Sequence, residues 1–131
     1  MKKSILVLVG IITLLFCSEK SNAQDQKYYV GKWDILTTGT PSGDSHGTLI
    51  LEQKDGKLVG TFQPQDQQPA KLNRVEIEDD EITVYFTSTS GYDVYLYLEK
   101  IDENNVEGSM MDMFDSTGVR IIEEKKDEKK E

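Results

Sequence analysis

Arg74-Val75-Glu76-Ile77-Glu78-Asp79-Asp80-Glu81-Ile82-Thr83-Val84-Tyr85-Phe86 decides the fold class. Apolar residues fall on every second position on both sides of Asp79-Asp80, which is the period of a half-buried strand and not of a helix. The stretch predicts a hairpin closed at the acidic pair. That turn sets Ile77 opposite Ile82, Val75 opposite Val84 and Asn73 opposite Phe86. A one-residue slip would send all of these side chains to the wrong face, so the register can be tested against neighbouring turns.

The neighbours agree. A turn centred on Ser90 pairs Phe86 with Val94, Val84 with Leu96 and Ile82 with Leu98, and Asp55-Gly56, a type I′ signal, sets Leu51 opposite Gly60 and Leu49 opposite Phe62. A turn at Glu103-Asn104 would pair Leu98 with Ser109, Leu96 with Met111 and Val94 with Met113. The candidate strands are Tyr28–Thr38, His46–Gln53, Lys57–Gln63, Ala70–Glu78, Glu81–Ser88, Tyr92–Ile101, Val106–Phe114 and Val119–Ile122. Turn chemistry separates them at Thr40-Pro41-Ser42-Gly43, between Pro64 and Pro69, and at Ser116-Thr117-Gly118. The expected fold is therefore all-β: an eight-stranded antiparallel up-and-down β-barrel, with no significant helix in residues 24–122. Its inner face would hold Trp33, Ile35, Leu49, Leu51, Leu58, Phe62, Val75, Ile77, Ile82, Val84, Phe86, Val94, Leu96, Leu98, Met111 and Met113.

Residues 1–23 read as a signal peptide. Lys2 and Lys3 precede an apolar run, Ile5 to Phe16, too short for a comfortable membrane span, and Ser21-Asn22-Ala23 ends in small residues suited to cleavage before Gln24. The alternative is a lipoprotein anchored through Cys17, where Phe16 stands in place of the small residue that processing prefers. Cys17 is the single cysteine of the 131 residues, so a periplasmic or secreted domain would have no disulfide and would rely on its core. Residues 24–122 form one domain. Residues 123–131 alternate charge pairs without an apolar face and read as a solvated, disordered tail.

Cleavage would remove Lys2, Lys3, Lys20 and Glu19, leaving 12 basic against 23 acidic residues, a net charge of −11. Nucleic acid and anionic membrane surfaces are poor partners for such a chain, because both need clustered Lys and Arg. No stable membrane insertion is expected.

Gly31-Lys32-Trp33 on the first strand, with Arg120 on the last, resembles the calycin arrangement of lipocalins. There a first-strand Gly-x-Trp lays its indole across the barrel floor and an Arg of the final strand stacks on it. Cation–π packing of this kind is worth ~0.5–2 kcal/mol. The wider pattern, with Thr40-Pro41-Ser42-Gly43, Gly56-Lys57-Leu58-Val59-Gly60 and Gly108-Ser109, is similar to small lipocalin-like modules of exported bacterial proteins. The resemblance implies structural roles for Gly31 and Arg120, a buried Trp33, and a small hydrophobic ligand held inside the barrel. The chain is shorter than typical lipocalins, which implies a smaller cavity.

Motifs that carry chemistry are scarce. Gly43-Asp44-Ser45 resembles the nucleophile block of Gly-Asp-Ser hydrolases, but that mechanism needs a base brought by a distant element. His46, the single histidine, follows Ser45 directly, and consecutive strand side chains point to opposite faces. The chain is read as non-catalytic, with no cofactor. Met110-Met111-Asp112-Met113 could offer thioethers to Cu(I), yet the strand period puts Met111 and Met113 inside as flexible core filling and Met110 outside, so no metal site is assigned. The acidic turns lack the ligand spacing of a calcium loop.

Two functions follow from these faces. In the first, an apolar interior binds a small hydrophobic ligand between Trp33, Phe62, Phe86, Leu96, Met111 and Met113, entered from the end opposite Trp33. In the second, the core is filled and an outer stripe of Tyr85, Tyr95, Tyr97 and Met110 docks an envelope protein or a glycan, since Tyr supplies contact area at low entropic cost.

Overall fold

The computed structural model describes residues 26–122. The signal-peptide and tail assignments, and Cys17, lie outside them. Antiparallel strands β1 (Gly31–Thr40), β2 (Gly43–Lys54), β3 (Lys57–Pro64), β4 (Ala70–Lys71), β5 (Arg74–Glu78), β6 (Glu81–Thr87), β7 (Asp93–Asp102), β8 (Asn105–Met110) and β9 (Phe114–Ile121) form one sheet in the order β4-β3-β2-β1-β9-β8-β7-β6-β5. Every connection joins sheet neighbours except that between β4 and β5, which form the two edges. The sheet curls into a half-barrel, and its concave face buries Trp33, Ile35, Leu49, Leu51, Ile82, Val84, Leu96 and Leu98 almost completely.

The turn-defined registers hold along most of the sheet. Ile77 faces Ile82, Val75 faces Val84, Val84 faces Leu96 and Leu49 faces Phe62. Asp55 (φ 54°) and Gly56 (φ 78°) adopt the left-handed conformations that a two-residue hairpin with right-twisted strands requires.

Nine strands replace the eight expected, because Ala70–Glu78 is not one strand. At Leu72-Asn73 the chain changes partner: the Leu72 amide donates to Gly60 O at 2.9 Å, on the β3 side, and the Asn73 amide donates to Tyr85 O at 2.6 Å, on the β6 side. The chain there passes from one edge of the sheet to the other. Below that crossing β5 pairs with β6 alone, and the first residues of β3 pair with β2 alone.

The first strand starts at Gly31 and not at Tyr28. Residues 26–29 make a single helical turn, which seats Tyr29 in the core at 2% exposure, and this is the one helical element among the described residues.

The largest correction concerns β8. The turn at Glu103-Asn104 forms, with Asp102 opposite Asn105, but the register shifts between Lys100 and Asp102, so Lys100 faces Val106. One extra residue on β7, Ile101, is a β-bulge, and it inverts the faces of everything that follows on β8. Leu96 consequently faces Met110 and not Met111, and Leu98 faces Gly108 and not Ser109. Val106 is buried at 2% and Met110 packs against the core. Met111 and Met113 leave the inner face altogether. Met111 (φ 58°) and Asp112 (φ 56°) form a tight turn in which the Met113 amide donates to Met110 O at 3.0 Å, and Met113 is 68% exposed. Ser116-Thr117-Gly118, read as a turn, lies within β9, with Ser116 facing inward.

This register makes a prediction. Val106→Asp should unfold the domain, or lower its stability by ~3 kcal/mol or more as an unpaired buried charge. Ser109→Lys, a charge at the inward position of the unshifted register that here faces Asp115, should stay within ~0.5 kcal/mol of the parent in urea denaturation. The reverse order would show that the bulge is absent.

Candidate functional site

One end of the half-barrel is floored by Trp33. Its indole Nε1 donates to Tyr29 O at 3.1 Å, and the Arg120 guanidinium lies 4.3 Å from the indole centroid and 5.0 Å from that of Tyr28. Arg120 donates to Tyr28 O, Val30 O, Glu103 O and the Asn104 side chain at 3.0–3.3 Å. Carbonyls at the end of a helical turn have no intrahelical partner, and the guanidinium fork supplies donors for two of them while reaching the β7–β8 turn. Gly31 lies beside it, where a Cβ would make an ordinary 3.6 Å contact with Arg120 Nη1, so it is the φ of 132° that calls for glycine. Burial pushes the Tyr28 phenol pKa up, against the lowering effect of Arg120. All these groups are mutually engaged, so the end is a structural seal.

The other end is open. Phe62 of β3 and Phe86 of β6 stack across the interior with centroids 4.9 Å apart and planes 26° apart. Gly47 on β2 permits this: a Cβ at that position would lie 2.4 Å from Phe62 Cζ. Above the ring pair sits a cup of about 280 Å³ whose wall includes Thr37, Gly47, Val94 and Met110, with Ser45, His46, Gln67 and Ser88 toward its rim. Thr37 Oγ1 shares a 2.9 Å hydrogen bond with Ser116 Oγ, so these two buried hydroxyls satisfy each other.

Of the six residues expected to line a ligand, Phe62 and Phe86 border this cup. Leu96, at 0% exposure, and Trp33, at 1%, are packed below it. Met111 lies in the turn, where its Sδ accepts the Tyr95 amide at 3.4 Å, and Met113 faces solvent. The sequence pattern alone does not bring Thr37, Gly47, Val94 and Met110 together as one site. Simple alternation extends β1 inward from Trp33 and Ile35 to Thr37, and β2 from Leu51 and Leu49 to Gly47. Met110 required the bulge.

On the outer face Tyr85 lies opposite Tyr95, with centroids 6.2 Å apart, and Tyr97 continues along β7. Met110 is on the other face and does not belong to this stripe. Each phenol is tied to a carboxylate: Tyr85 to Glu76 at 3.0 Å, Tyr95 to Asp112 at 2.8 Å and Tyr97 to Glu99 at 3.2 Å. Desolvation, followed by hydrogen bonds with Glu81 and Glu99, pushes the Tyr97 pKa up to about 12. The hydrogen bond to Asp112 raises that of Tyr95.

His46 lies at the rim with Nδ1 3.4 Å from Asp34 Oδ1, on a half-exposed outer position. Among the described residues, no three His, Cys, Asp or Glu side chains are placed to hold a metal ion, and no helix is long and apolar enough to cross a membrane.

No protein-family model matches the chain, and no curated protein sequence does. Solved structures do. One is a redesigned beta barrel, mFAP1, bound to DFHBI, with a TM-score of 0.51 at 15% identity over 74% of this chain and 98% of that one. Another redesigned beta barrel has a TM-score of 0.54 at 20% identity, over 81% of this chain and 100% of that one. At these identities the likeness is one of fold, and the fold it supports for this chain is a β-barrel.

Proposed function

We propose that the protein is a non-catalytic binder of a small, flat, mainly apolar molecule, held in the cup above the Phe62–Phe86 stack. The observation that carries this reading is the cup itself: two aromatic rings and the Val94 and Met110 side chains form its lower wall, and hydroxyl and amide groups ring its mouth. Such a wall offers apolar contact below and orienting hydrogen bonds above, the usual division of labour in a small-molecule site. At about 280 Å³ the space falls just under the ~300–1,000 Å³ typical of drug-sized ligands, which favours one or two fused rings. One structural neighbour, mFAP1, is bound to DFHBI, a support by analogy of fold. A lipocalin-like ancestry is part of the same proposal, resting on Gly31, Trp33 and Arg120 at the sealed end, as is export after cleavage before Gln24. Binding without catalysis is part of the same proposal. The outer stripe is the weaker reading, because its phenols already have carboxylate partners and Met110 is not on it.

DFHBI is a practical probe. Titration should shift the methyl resonances of Val94 and Met110, and Met110→Trp, which fills the cup, should weaken binding by about tenfold, ~1.4 kcal/mol. Tyr97→Ala should leave binding unchanged. If Val94 and Met110 stay silent with DFHBI and with a panel of one- and two-ring aromatics, the cup is not a ligand site. Trp33 fluorescence is not the readout to choose, since filled core separates the indole from the cup.

A further inference from the structure

The half-barrel has a second opening, in its wall. Between the lower part of β3 and the whole of β5, the two sheet edges face each other across a cleft of about 530 Å³. Its apex is the crossing at Leu72-Asn73, where the Leu72 amide still reaches Gly60 O. Leu58, Leu72, Val75 and Ile77 present apolar side chains to it, and Val59, Asn73, Lys57, Arg74 and Gln26 complete it. Leu58 and Leu72 belong to the buried core, and Val75 and Ile77 pack on that core while keeping part of their surface open to solvent. The cleft and the cup share no lining residue, and Ile82, Val84, Leu96 and Leu98, all at 0–1% exposure, fill the interior.

The charge of this cleft runs against that of the molecule. Residues 26–122 are rich in carboxylates, yet among the residues lining the cleft Lys57 and Arg74 are cations and none is acidic. Arg74 is held in place from its outer side: its guanidinium lies 4.2 Å from the Tyr85 centroid, and its Nε is 3.3 Å from Glu76 Oε2. Glu76 offsets part of the field of Arg74. A groove with aliphatic walls and a cationic rim matches one ligand chemistry, an alkyl chain ending in an anionic group. A neutral apolar molecule would leave the cations unused. A hydrophilic anion would leave Leu72, Val75 and Ile77 in water.

We infer that the β3–β5 cleft binds a long-chain anionic amphiphile, with its alkyl chain along Leu58, Leu72, Val75 and Ile77 and its headgroup at Lys57 and Arg74. This site is separate from the cup and does not depend on it. The amphiphile is a free one in solution, because a domain this rich in carboxylates is repelled by an anionic lipid surface.

The test uses the full chain, with dodecanoate below its micellar concentration, dodecanol, and phosphatidylglycerol vesicles as probes. Dodecanoate should shift the methyl resonances of Leu72, Val75 and Ile77 and leave Val94 and Met110 unmoved. The exposed double variant Lys57→Gln/Arg74→Gln, expected to fold normally, should bind dodecanoate at least tenfold more weakly and dodecanol as the parent does. Saturable shifts with free dodecanoate support the inference; shifts only with vesicles overturn it in favour of a lipid surface. The inference is overturned if neither source moves Val75 and Ile77, if dodecanoate moves only Val94 and Met110, or if the double variant binds dodecanoate like the parent. The cup reading has its own reporters, so either site can fail alone.

Discussion

Trp33→Ala is expected to lower the unfolding free energy by ~3–5 kcal/mol, out of the ~5–15 kcal/mol that a domain of this size has in total. The indole is 1% exposed and touches three partners at once, Arg120 across its face and the rings of Tyr28 and Tyr29 at 5.6 and 6.3 Å. Truncation opens a cavity at the sealed end and removes the donor to Tyr29 O, leaving a buried carbonyl without it. It also takes away the surface on which Arg120 is stacked. For a domain near 100 residues, a loss of that size should lower Tm by more than about 12 °C. Arg120→Lys should reproduce part of the loss, because a single ammonium cannot serve Tyr28 O, Val30 O, Glu103 O and Asn104 in the plane of the fork. If Trp33→Ala melts within a degree or two of the parent, the sealed end is peripheral to stability.

Gly108→Ala should be comparably damaging, although it adds one methyl group. A Cβ at Gly108 would lie 1.8 Å from Tyr97 O and 2.9 Å from Leu98 Cα, both backbone atoms of the paired strand, so no side chain can rotate away. Strand β8 would have to separate from β7 beside the bulge at Ile101, and we expect a loss of about 3 kcal/mol or more. Gly91→Ala is the control. Nothing lies within 4 Å of its Cβ, and its φ of 89° leaves only conformational strain, roughly 1–2 kcal/mol. Urea denaturation ranks the two variants. Gly108 is not among the glycines with positive φ, so equal losses would mean that β8 yields to the added methyl group at little cost.

Much of the sheet was legible because hairpin turns act locally. Asp55-Gly56 and Asp79-Asp80 each specify a register within a few residues, and alternation then carries it to the strand ends, as in Leu49 with Phe62 and Val75 with Val84. Trp33 at the sealed end and the Phe62 and Phe86 rings inside followed from the same parity. Errors gathered where parity changes without a local signal. Nothing in Lys100-Ile101-Asp102 marks a bulge, and Met111-Asp112 is unusual chemistry for a turn with two left-handed residues, so Met110 and Met111 exchanged their expected places.

By itself, then, the sequence determined the class of the fold, the pairing of most strands, the apolar composition of the interior and the acidic balance of the surface, since each depends on neighbours in the chain. The tertiary structure alone decided the rest. Whether the interior is hollow depends on how Phe62 and Phe86, 24 positions apart, meet over Gly47, and whether the wall is continuous depends on how far the curled sheet brings β3 toward β5. Packing volume and closure are sums over the whole curved sheet, and a single bulged residue at Ile101 is enough to change which side chains enter them.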